Sequence, residues 1–407
     1  MTSSRAALTF VLLTVFIDSL GFGIIIPSLP GVIMKLTGQP VTVAADWGGY
    51  LMAVYALLQF FMAPVLGNLS DRFGRRPILL WSLLGLGVHF LLLGLAPSLP
   101  LMLLARIIGG TAGASFSVAS AYASDVTPPE RRAKSFGMIG AAFGLGFIVG
   151  PMVGGLLGGV DLHLPFFAAG ALSLINAIYG YLVVPESLPR SRRAPFAVAR
   201  ANPFAALLAL ARHREIGRLV AVFALIVLAQ LILQTTWVLY THFRFGWGPR
   251  ENGFALFCVG LVAAIVQGGL LSPLLRRLGD VRLVLLGLTT GTCAYLAYGL
   301  AQQGWMMYAI IVANFLSFAA GPALQGIVSN AVDPTEQGVT MGALNSINSI
   351  MFVVAPLIGA PLLALVSEMP PSDWRIGATF YVSAALQLVA MLMARRHFEA
   401  RRIAAAT

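Results

Sequence analysis

Twelve runs of predominantly apolar residues, each long enough to cross a lipid bilayer as a helix, dominate this sequence. A hydrocarbon core of ~30 Å requires ~20 residues of α-helix, so each run predicts one membrane span. Backbone groups in lipid must be bonded within the structure, and the alternating pattern of barrel strands is absent, so we predict helices. We number them spans 1 to 12 and place them at residues 7–33, 47–68, 77–96, 98–121, 134–157, 164–185, 217–242, 251–274, 281–301, 304–329, 338–364 and 375–394.

The composition supports a membrane protein and excludes several other classes. Apolar residues make up 58% of the chain and charged residues 10%, which does not describe a soluble surface. The net charge of +11 comes from short basic clusters between the apolar runs rather than from one continuous face, so we predict no nucleic-acid binding. Cys258 and Cys293 lie within apolar runs without paired or metal-ligand spacing, so neither a disulfide nor a metal site is predicted.

The distribution of basic residues predicts the orientation of the chain. If both termini lie in the cytoplasm, all but five of the 26 lysines and arginines fall on the cytoplasmic side of the spans. Those five are Arg106, within span 4, and four residues on the opposite side: Lys35, Arg244, Arg250 and Arg375. Cytoplasmic loops carry an excess of basic residues, so we predict a multi-pass membrane protein with both termini cytoplasmic.

One connection is much longer than the others and divides the spans six and six. It contains several prolines and a short amphipathic helix, which we predict from Phe204 to Arg214 on the inner membrane face. We therefore predict an N-terminal six-helix bundle over residues 1–185, a cytoplasmic linker over 186–216 and a C-terminal six-helix bundle over 217–407. Two such halves are typical of transporters that bind their substrate between repeats near the membrane midplane.

The polar loop between spans 2 and 3 reads G-N-L-S-D-R-F-G-R-R-P over Gly67 to Pro77. Gly74 permits a tight turn, and the three arginines of the loop cannot enter hydrocarbon, so they anchor it at the membrane surface. The loop between spans 8 and 9, Ser272 to Arg282, holds two arginines and Gly279 at similar positions. This weaker copy indicates that the two halves are repeats.

An aspartate, a histidine and an arginine lie within the predicted spans of the first half. Asp18 is ~16 Å from the inner end of span 1, where a charge costs at least ~2.5 kcal/mol and marks a functional residue by default. Arg106 in span 4 keeps its charge and needs an anion, water or substrate beside it. His89 in span 3 lies at a similar depth. We predict a proton and charge relay of Asp18, His89 and Arg106; the alternatives are a permanently paired aspartate and a neutral, helix-bonded histidine.

Away from their ends, the predicted spans of the second half carry amides and aromatic rings instead of ionised groups. Helical spacing puts Gln230, Gln234 and Trp237 on one face of span 7. Such groups can bond and stack around a largely apolar ligand, or they can simply hold helices together in the membrane. The candidate substrate-binding residues are Gln230, Gln234, Trp237, Tyr240, Gln267, Asn314, Gln325, Asn345 and Asn348.

Span 5 contains a series of small residues. Glycines at this spacing let a neighbouring helix approach closely, and a proline can bend the helix axis. We predict a helix interface that seals or rocks, with plain close packing as the alternative. The residues of this helix-5 seam are Gly137, Gly146, Gly150, Pro151, Gly154 and Gly155.

Three of these patterns together resemble the major facilitator superfamily. The loop from Gly67 to Pro77 is similar to its motif A, the segment from Leu103 to Ala114 to its motif B, and the segment from Gly137 to Gly155 to its motif C. Motif C is associated with drug and proton antiporters. The resemblance covers nearly the whole chain and implies that family's fold of two six-helix bundles.

Shorter runs resemble the tetracycline-efflux branch of the twelve-helix antiporters. They are D-S-L-G-F-G-I-I-I-P-S-L-P from Asp18 to Pro30, F-G-W at 245–247 and P-A-L-Q-G at 322–326. The resemblance implies exchange of a cytoplasmic drug for periplasmic protons by alternating access, in the bacterial inner membrane. The proton gradient drives such an exchange, so no cofactor is expected.

The resemblance also implies roles for particular residues. Asp18 and Arg106 match the family's span 1 aspartate and span 4 arginine. The motif A residues form a conformational latch, in which Asp71 is attracted to the start of span 11 near Gly338. The latch residues are Gly67, Asp71, Arg72, Gly74, Arg75 and Arg76.

The sequence departs from this branch at three positions. His89 stands where the tetracycline pumps carry an acidic residue on span 3. Ala263 and Gly291 stand near the positions of a span 8 histidine and a span 9 aspartate, which serve magnesium-tetracycline and proton handling in the family. Proton-coupled efflux still fits, while a more apolar or cationic compound or a cellular metabolite fits the neutral second half as well as tetracycline does.

The sequence therefore predicts a proton-coupled exporter of amphipathic small molecules or drugs that acts as a monomer in the lipid bilayer. The alternatives are a symporter or exporter of a cellular metabolite with the same fold and a non-transporting membrane receptor. No nucleophile and base pair, nucleotide loop or metal cluster occurs at useful spacing, so we predict no enzyme and no catalytic residue.

Overall fold

The structure, a computed structural model, describes residues 2–38, 41–113, 115–128, 132–196, 202–203, 217–331 and 337–404. Within these ranges the regular elements are helices, and twelve helical segments are long and apolar enough to cross a membrane. The predicted all-α membrane architecture with twelve spans is confirmed.

The first six spans agree closely with the predicted apolar runs. Their helices are Thr2–Ile25 for span 1, Val41–Phe73 for span 2, Arg75–Leu95 for span 3, Leu99–Ala112 with Ser115–Val126 for span 4, Arg132–Gly158 for span 5 and Leu164–Val183 for span 6. A short helix, Leu29–Thr37, follows span 1. Span 4 is thus built from two helices, although its sequence reads as one unbroken apolar run.

The last six spans are less regular. Their helices are Gly217–Phe245 for span 7, Pro249–Ile265 with Leu271–Leu278 for span 8, Asp280–Leu300 for span 9, Gly304–Ala313 with Ser317–Asn330 for span 10, Gln337–Val366 for span 11 and Ala378–Ala404 for span 12. A π-helix, Val266–Leu270, joins the two parts of span 8. In a π-helix each bond spans five residues instead of four, and such turns are frequent at functional sites.

The chain forms two compact units. The first comprises Met1–Gly38, Val54–Pro203 and Gly248–Phe257, and the second comprises Gln39–Ala53, Phe204–Trp247 and Cys258–Thr407. Within the second unit, Gly49 at the start of span 2 fits closely against Ala360 of span 11. The helix predicted from Phe204 to Arg214 lies outside the described residues, and the division at the 186–216 linker stays a prediction.

Each unit has its own apolar core. Phe10, Leu83 and Tyr122 are buried where spans 1, 3 and 4 of the first unit meet. A second cluster, which includes Leu219 and Leu288, is buried among the spans of the second unit. Large apolar side chains are also exposed on many spans, as expected for surfaces that contact lipid.

The loops before spans 3 and 9 use the same backbone turn. Gly74 has φ +108° and ψ 155° directly before the helix of span 3, and Gly279 has φ +74° and ψ 161° directly before that of span 9. Residues with a Cβ atom rarely adopt this conformation, so both positions require glycine. The shared turn agrees with the repeat that the two loop sequences predict.

Candidate functional site

Asp18 lies in the middle of span 1 and contacts the start of the second helix of span 4. The Ser115 hydroxyl donates a hydrogen bond to Asp18 Oδ2 at 2.5 Å. The other carboxyl oxygen, Oδ1, is buried and has no hydrogen-bond partner among the described residues. A buried polar atom without a partner costs roughly 1–3 kcal/mol. This oxygen is therefore available for a proton or for a further partner.

The glycines of span 5 hold span 1, and with it Asp18, in position. A Cβ atom on three of them would meet a backbone carbonyl oxygen of span 1, in the pairs Gly146 with Phe16, Gly150 with Leu20 and Gly154 with Ile24. Residues four apart lie on one face of a helix, so a row of glycines packs against a row of carbonyls. The two backbones approach this closely only because these positions lack side chains.

The remaining residues of the predicted seam have different surroundings. Gly155 packs against Gly253 within the first unit, and Pro151 packs against Gly23 of span 1. A Cβ atom on Gly137 would meet no described atom within 4 Å, so this glycine lies outside the close contact. Whether the seam rocks during function stays a prediction.

Tyr55 of span 2 contacts the other two members of the predicted relay, Arg106 and His89. Its ring centroid is 5.5 Å from Arg106 Cζ and 5.8 Å from the centroid of the His89 ring. Arg106 is 2% exposed and His89 is 1% exposed, so both are part of the interior of the first unit. The sequence predicted a similar depth for His89 and Arg106 but gave no role to Tyr55.

His89 is bonded to the neighbouring helix of span 4. Its Nδ1 lies 2.7 Å from the backbone oxygen of Ala105. Since a carbonyl can only accept a hydrogen bond, Nδ1 carries the proton. Gly109 packs directly on the imidazole ring. This is the geometry that the neutral, helix-bonded alternative requires, and a titrating role for His89 stays a prediction.

Arg106 is buried without a carboxylate partner. Its Nε and Nη2 atoms find no hydrogen-bond acceptor, and none of the ion pairs between described residues includes it. Stacking on an aromatic ring contributes about 0.5–2 kcal/mol, far less than desolvating a charge costs. Among the described residues of the first unit, the guanidinium group of Arg106 is therefore a buried charge without a counter-ion.

A side chain of span 2 bonds to span 4 at the point where its helix is interrupted. Gln59 donates a hydrogen bond from Nε2 to the backbone oxygen of Gly113 at 2.7 Å, just after the helix Leu99–Ala112 ends. Ser115, which begins the next helix, binds Asp18. Spans 2, 4 and 1 are thus connected around the break. The sequence did not reveal this, because Gln59 resembles any amide that joins membrane helices.

We expect Gln59→Leu to destabilise the first unit, because the Gly113 carbonyl would lose its donor at a cost of roughly 1–3 kcal/mol. The measurement is the thermal unfolding midpoint of purified protein in detergent. Gln302→Leu, at an exposed position between spans 9 and 10, is the control and should leave the midpoint unchanged. Equal midpoints for the two variants would contradict this interpretation.

Ion pairs connect the loop between spans 2 and 3 to span 4. Arg75 contacts Asp71 at 2.7 Å and Asp125, at the end of span 4, at 3.1 Å. It also donates to the Ser70 hydroxyl at 2.6 Å. Predicted latch residues are thus part of one charge cluster within the first unit. The side chains at the start of span 11, where the sequence predicts a partner for Asp71 near Gly338, lie outside the described residues.

Glu186 joins this cluster from the end of span 6. Its Oε1 accepts a hydrogen bond from the backbone nitrogen of Arg75 at 2.9 Å, and Arg193 lies 3.8 Å from its Oε2. A carboxylate at this place is favoured by the dipole of the span 3 helix. The sequence analysis missed Glu186, whose only signal was a carboxylate directly after the last apolar residues of span 6.

The other predicted latch residues lie beside these contacts. Arg76 stacks on Tyr181, with Cζ 5.6 Å from the ring centroid, and donates to the backbone oxygen of Tyr181 at 2.5 Å. Arg72 is exposed over the ring of Phe73. The backbone oxygen of Gly67 accepts a hydrogen bond from the Ser70 hydroxyl at 2.6 Å.

The candidate substrate-binding residues fall into two groups. Trp237 and Tyr240 are buried in the second unit, where the Tyr240 hydroxyl donates to the backbone oxygen of Tyr298 at 2.9 Å. Gln234 is half-buried, and Asn314 is buried where span 10 is interrupted. The exposed amides are Gln230, Gln267, Gln325, Asn345 and Asn348. Their part in substrate binding stays a prediction.

A carboxyl and an uncompensated guanidinium inside a bundle of apolar spans, with a charged cluster at the helix ends, are typical of a membrane transporter. Residues 11–356 match the model of the Major Facilitator Superfamily, and the chain belongs to this family. The predicted family is confirmed.

Individual members of this family are similar to the chain over nearly its whole length. Tetracycline resistance protein class C of Escherichia coli is 35% identical over 393 residues, which cover 97% of each chain. Class G of Vibrio anguillarum is 34% identical over 394 residues, covering 97% of this chain and 98% of that one. The human organic anion transporter MFSD10 (TETRAN), which has a crystal structure, is 25% identical in sequence to this chain. The two structures match with a TM-score of 0.69 over 96% of this chain and 99% of the MFSD10 chain. The predicted resemblance to tetracycline resistance transporters is confirmed, and the protein is a transporter, not an enzyme.

Proposed function

We propose that this transporter exports small amphipathic molecules in exchange for protons, by alternating access, across a bacterial inner membrane. Asp18 carries the proposal, because a carboxyl in the middle of a span with one unpartnered oxygen is suited to gaining and losing a proton. Similarity to the tetracycline resistance proteins supports drug export. The proton gradient supplies the energy, and the transporter acts as a monomer without a cofactor.

In this mechanism, protonation of Asp18 and binding of substrate favour opposite conformations of the transporter. Protonated Asp18 is neutral and keeps its bond to Ser115 at the break in span 4. Loss of the proton leaves a charge within the span, which is stable only if a different arrangement supplies a partner. Substrate that binds preferentially to this second arrangement couples its own movement to that of the proton.

The charge cluster around Arg75 is proposed as the conformational latch. With both termini in the cytoplasm, the cluster lies at the cytoplasmic surface. Its pairs with Asp71 and Asp125 hold the loop to span 4 in this structure. Exchange of these partners during the cycle would let the loop release and re-engage.

Asp18→Asn tests the proposal, because asparagine keeps the side-chain size and cannot exchange a proton. We expect substrate-induced proton flux in proteoliposomes to fall to the background of protein-free liposomes under an imposed pH gradient. Tetracyclines, cationic dyes and lipophilic drugs are screened as substrates. Asp280→Asn, the same change at the exposed start of span 9, is the matched control and should retain flux. Proton-driven export of normal rate by Asp18→Asn would refute the assignment of the coupling site.

A further inference from the structure

We propose that Arg106 forms a binding site for a small monovalent anionic group. The group is either a carboxylate of the transported molecule or an inorganic halide. In the first case the inference rests on the proposed function and names its substrate class, which is molecules that carry an acidic group. The site lies in the first unit, away from the amides of the second half.

The unpartnered atoms of Arg106 point to a ligand of this kind. Nε and Nη2 form the edge of a guanidinium group that presents two parallel N–H donors, and both are buried without an acceptor. This edge is the one that binds the two oxygens of a carboxylate side by side. Arg106 thus supplies, inside the first unit, both donors that a bidentate arginine–carboxylate pair requires.

Arg244, which is also buried, shows what a satisfied arginine looks like in this protein. Its Nε donates to the backbone oxygen of Ala301 at 3.0 Å, and its Nη1 donates to the backbone oxygens of Pro371 and Asp373. Arg106 has no such set of carbonyls. The difference indicates that the donors of Arg106 are kept for a partner that the described residues do not supply.

The neighbours of Arg106 leave its charge uncompensated. Tyr55 offers the face of its ring, and the proton on Nδ1 of His89 is used by Ala105. Asp18 is bonded to Ser115 instead and makes no ion pair among the described residues. Water could fill the hydrogen bonds of Arg106 but could not balance its charge, whereas an anion does both.

The same neighbours limit how much water can surround the anionic group. Tyr55 covers the guanidinium, and its backbone oxygen would lie 2.7 Å from a Cβ atom on Gly110, one helical turn from Arg106. A carboxylate or a halide is therefore favoured over a heavily hydrated anion such as sulfate. One positive charge also matches one negative charge, so a monovalent group is favoured.

The test measures thermal unfolding of the purified, full-length protein in detergent. Potassium chloride or potassium benzoate is added at constant ionic strength, with potassium sulfate, whose anion is divalent and strongly hydrated, as the filler. A ligand that binds the folded state raises the midpoint in proportion to the logarithm of its concentration once the site is filled. We expect such a rise in the wild type and its loss in Arg106→Gln.

Two controls and a second variant make the test specific. Arg244→Gln and Arg277→Gln remove a buried and an exposed arginine and should keep the anion response. His89→Glu keeps Arg106 but introduces a carboxylate beside Tyr55, the residue that also contacts the guanidinium, so we expect this carboxylate to compete with added anions and the anion response to be lost. This variant carries the test if Arg106→Gln does not fold.

The outcomes separate the two sources of the anion. A response to benzoate supports a carboxylate of the transported molecule, and a response to chloride alone supports an inorganic counter-ion. The proposal is wrong if neither anion stabilises the wild type, if Arg106→Gln responds like the wild type, or, where that variant does not fold, if His89→Glu does. No transport is measured, so failure here leaves the Asp18 test of proton coupling unaffected.

Discussion

Replacing Gly154 by valine is expected to prevent the first unit from folding normally. A side chain at this position would collide with the backbone oxygen of Ile24, which belongs to the last turn of the span 1 helix and cannot move without distorting that turn. Overpacking of a close contact costs about 1–3 kcal/mol, and more where the backbone must move. Here span 1 would have to shift as a unit, which would also displace Asp18 from Ser115.

The measurement is the yield of monodisperse protein after size-exclusion chromatography in detergent, followed by the thermal unfolding midpoint. Gly144→Val is the matched control on the same helix, because a Cβ atom there would meet no described atom within 4 Å. We expect near-normal yield for Gly144→Val and a several-fold loss for Gly154→Val. Equal yields and midpoints would show that the two helices do not need this close approach.

Replacing Gly74 by alanine is expected to be more damaging than the same change at Gly279. Both glycines have positive φ, so alanine costs about 1–3 kcal/mol of backbone strain at either position. At Gly74 the new methyl group would also collide with the Glu186 carboxylate. Displacing that carboxylate breaks its bond to the backbone nitrogen of Arg75, worth roughly 1.5–3 kcal/mol for a charged partner.

A double-mutant comparison separates these two contributions. The thermal midpoint is measured for Gly74→Ala in the wild-type background and in Glu186→Ala, with Gly279→Ala as the reference for backbone strain alone. Once Glu186 is truncated, Gly74→Ala should cost no more than Gly279→Ala does, because neighbouring groups do not contribute additively. A full additive loss would mean that Glu186 does not stabilise the start of span 3.

The sequence predicted the number of spans, their positions and their helical nature. Apolar length is a strong signal, because a bilayer imposes both a thickness and a demand for internal backbone bonding. The same signal did not predict the break in span 4 between Ala112 and Ser115 or the π-helix in span 8, because hydropathy does not distinguish a continuous helix from an interrupted one. The glycines around these places were the only local indication.

The candidate site was predicted in part. Asp18, His89 and Arg106 were identified because a polar group in a span is costly and therefore rare. Tyr55, Gln59 and Ser115 were not, since each is an ordinary residue of membrane helices. Glu186 was missed because its partner, Arg75, is 111 residues away in the chain, and no local pattern relates the two.

The π-helix Val266–Leu270 affects how related sequences should be aligned over span 8. A π-turn accommodates one residue more than an α-turn, so it absorbs a one-residue insertion without rotating the helices on either side. An alignment that treats the whole span as a regular helix would rotate every position after Leu270 by ~100° relative to its true face. Gln267 lies within this turn, before Leu271–Leu278 begins. The gap in such an alignment therefore belongs inside the span, at the π-turn, rather than in the loops to which gaps are usually confined.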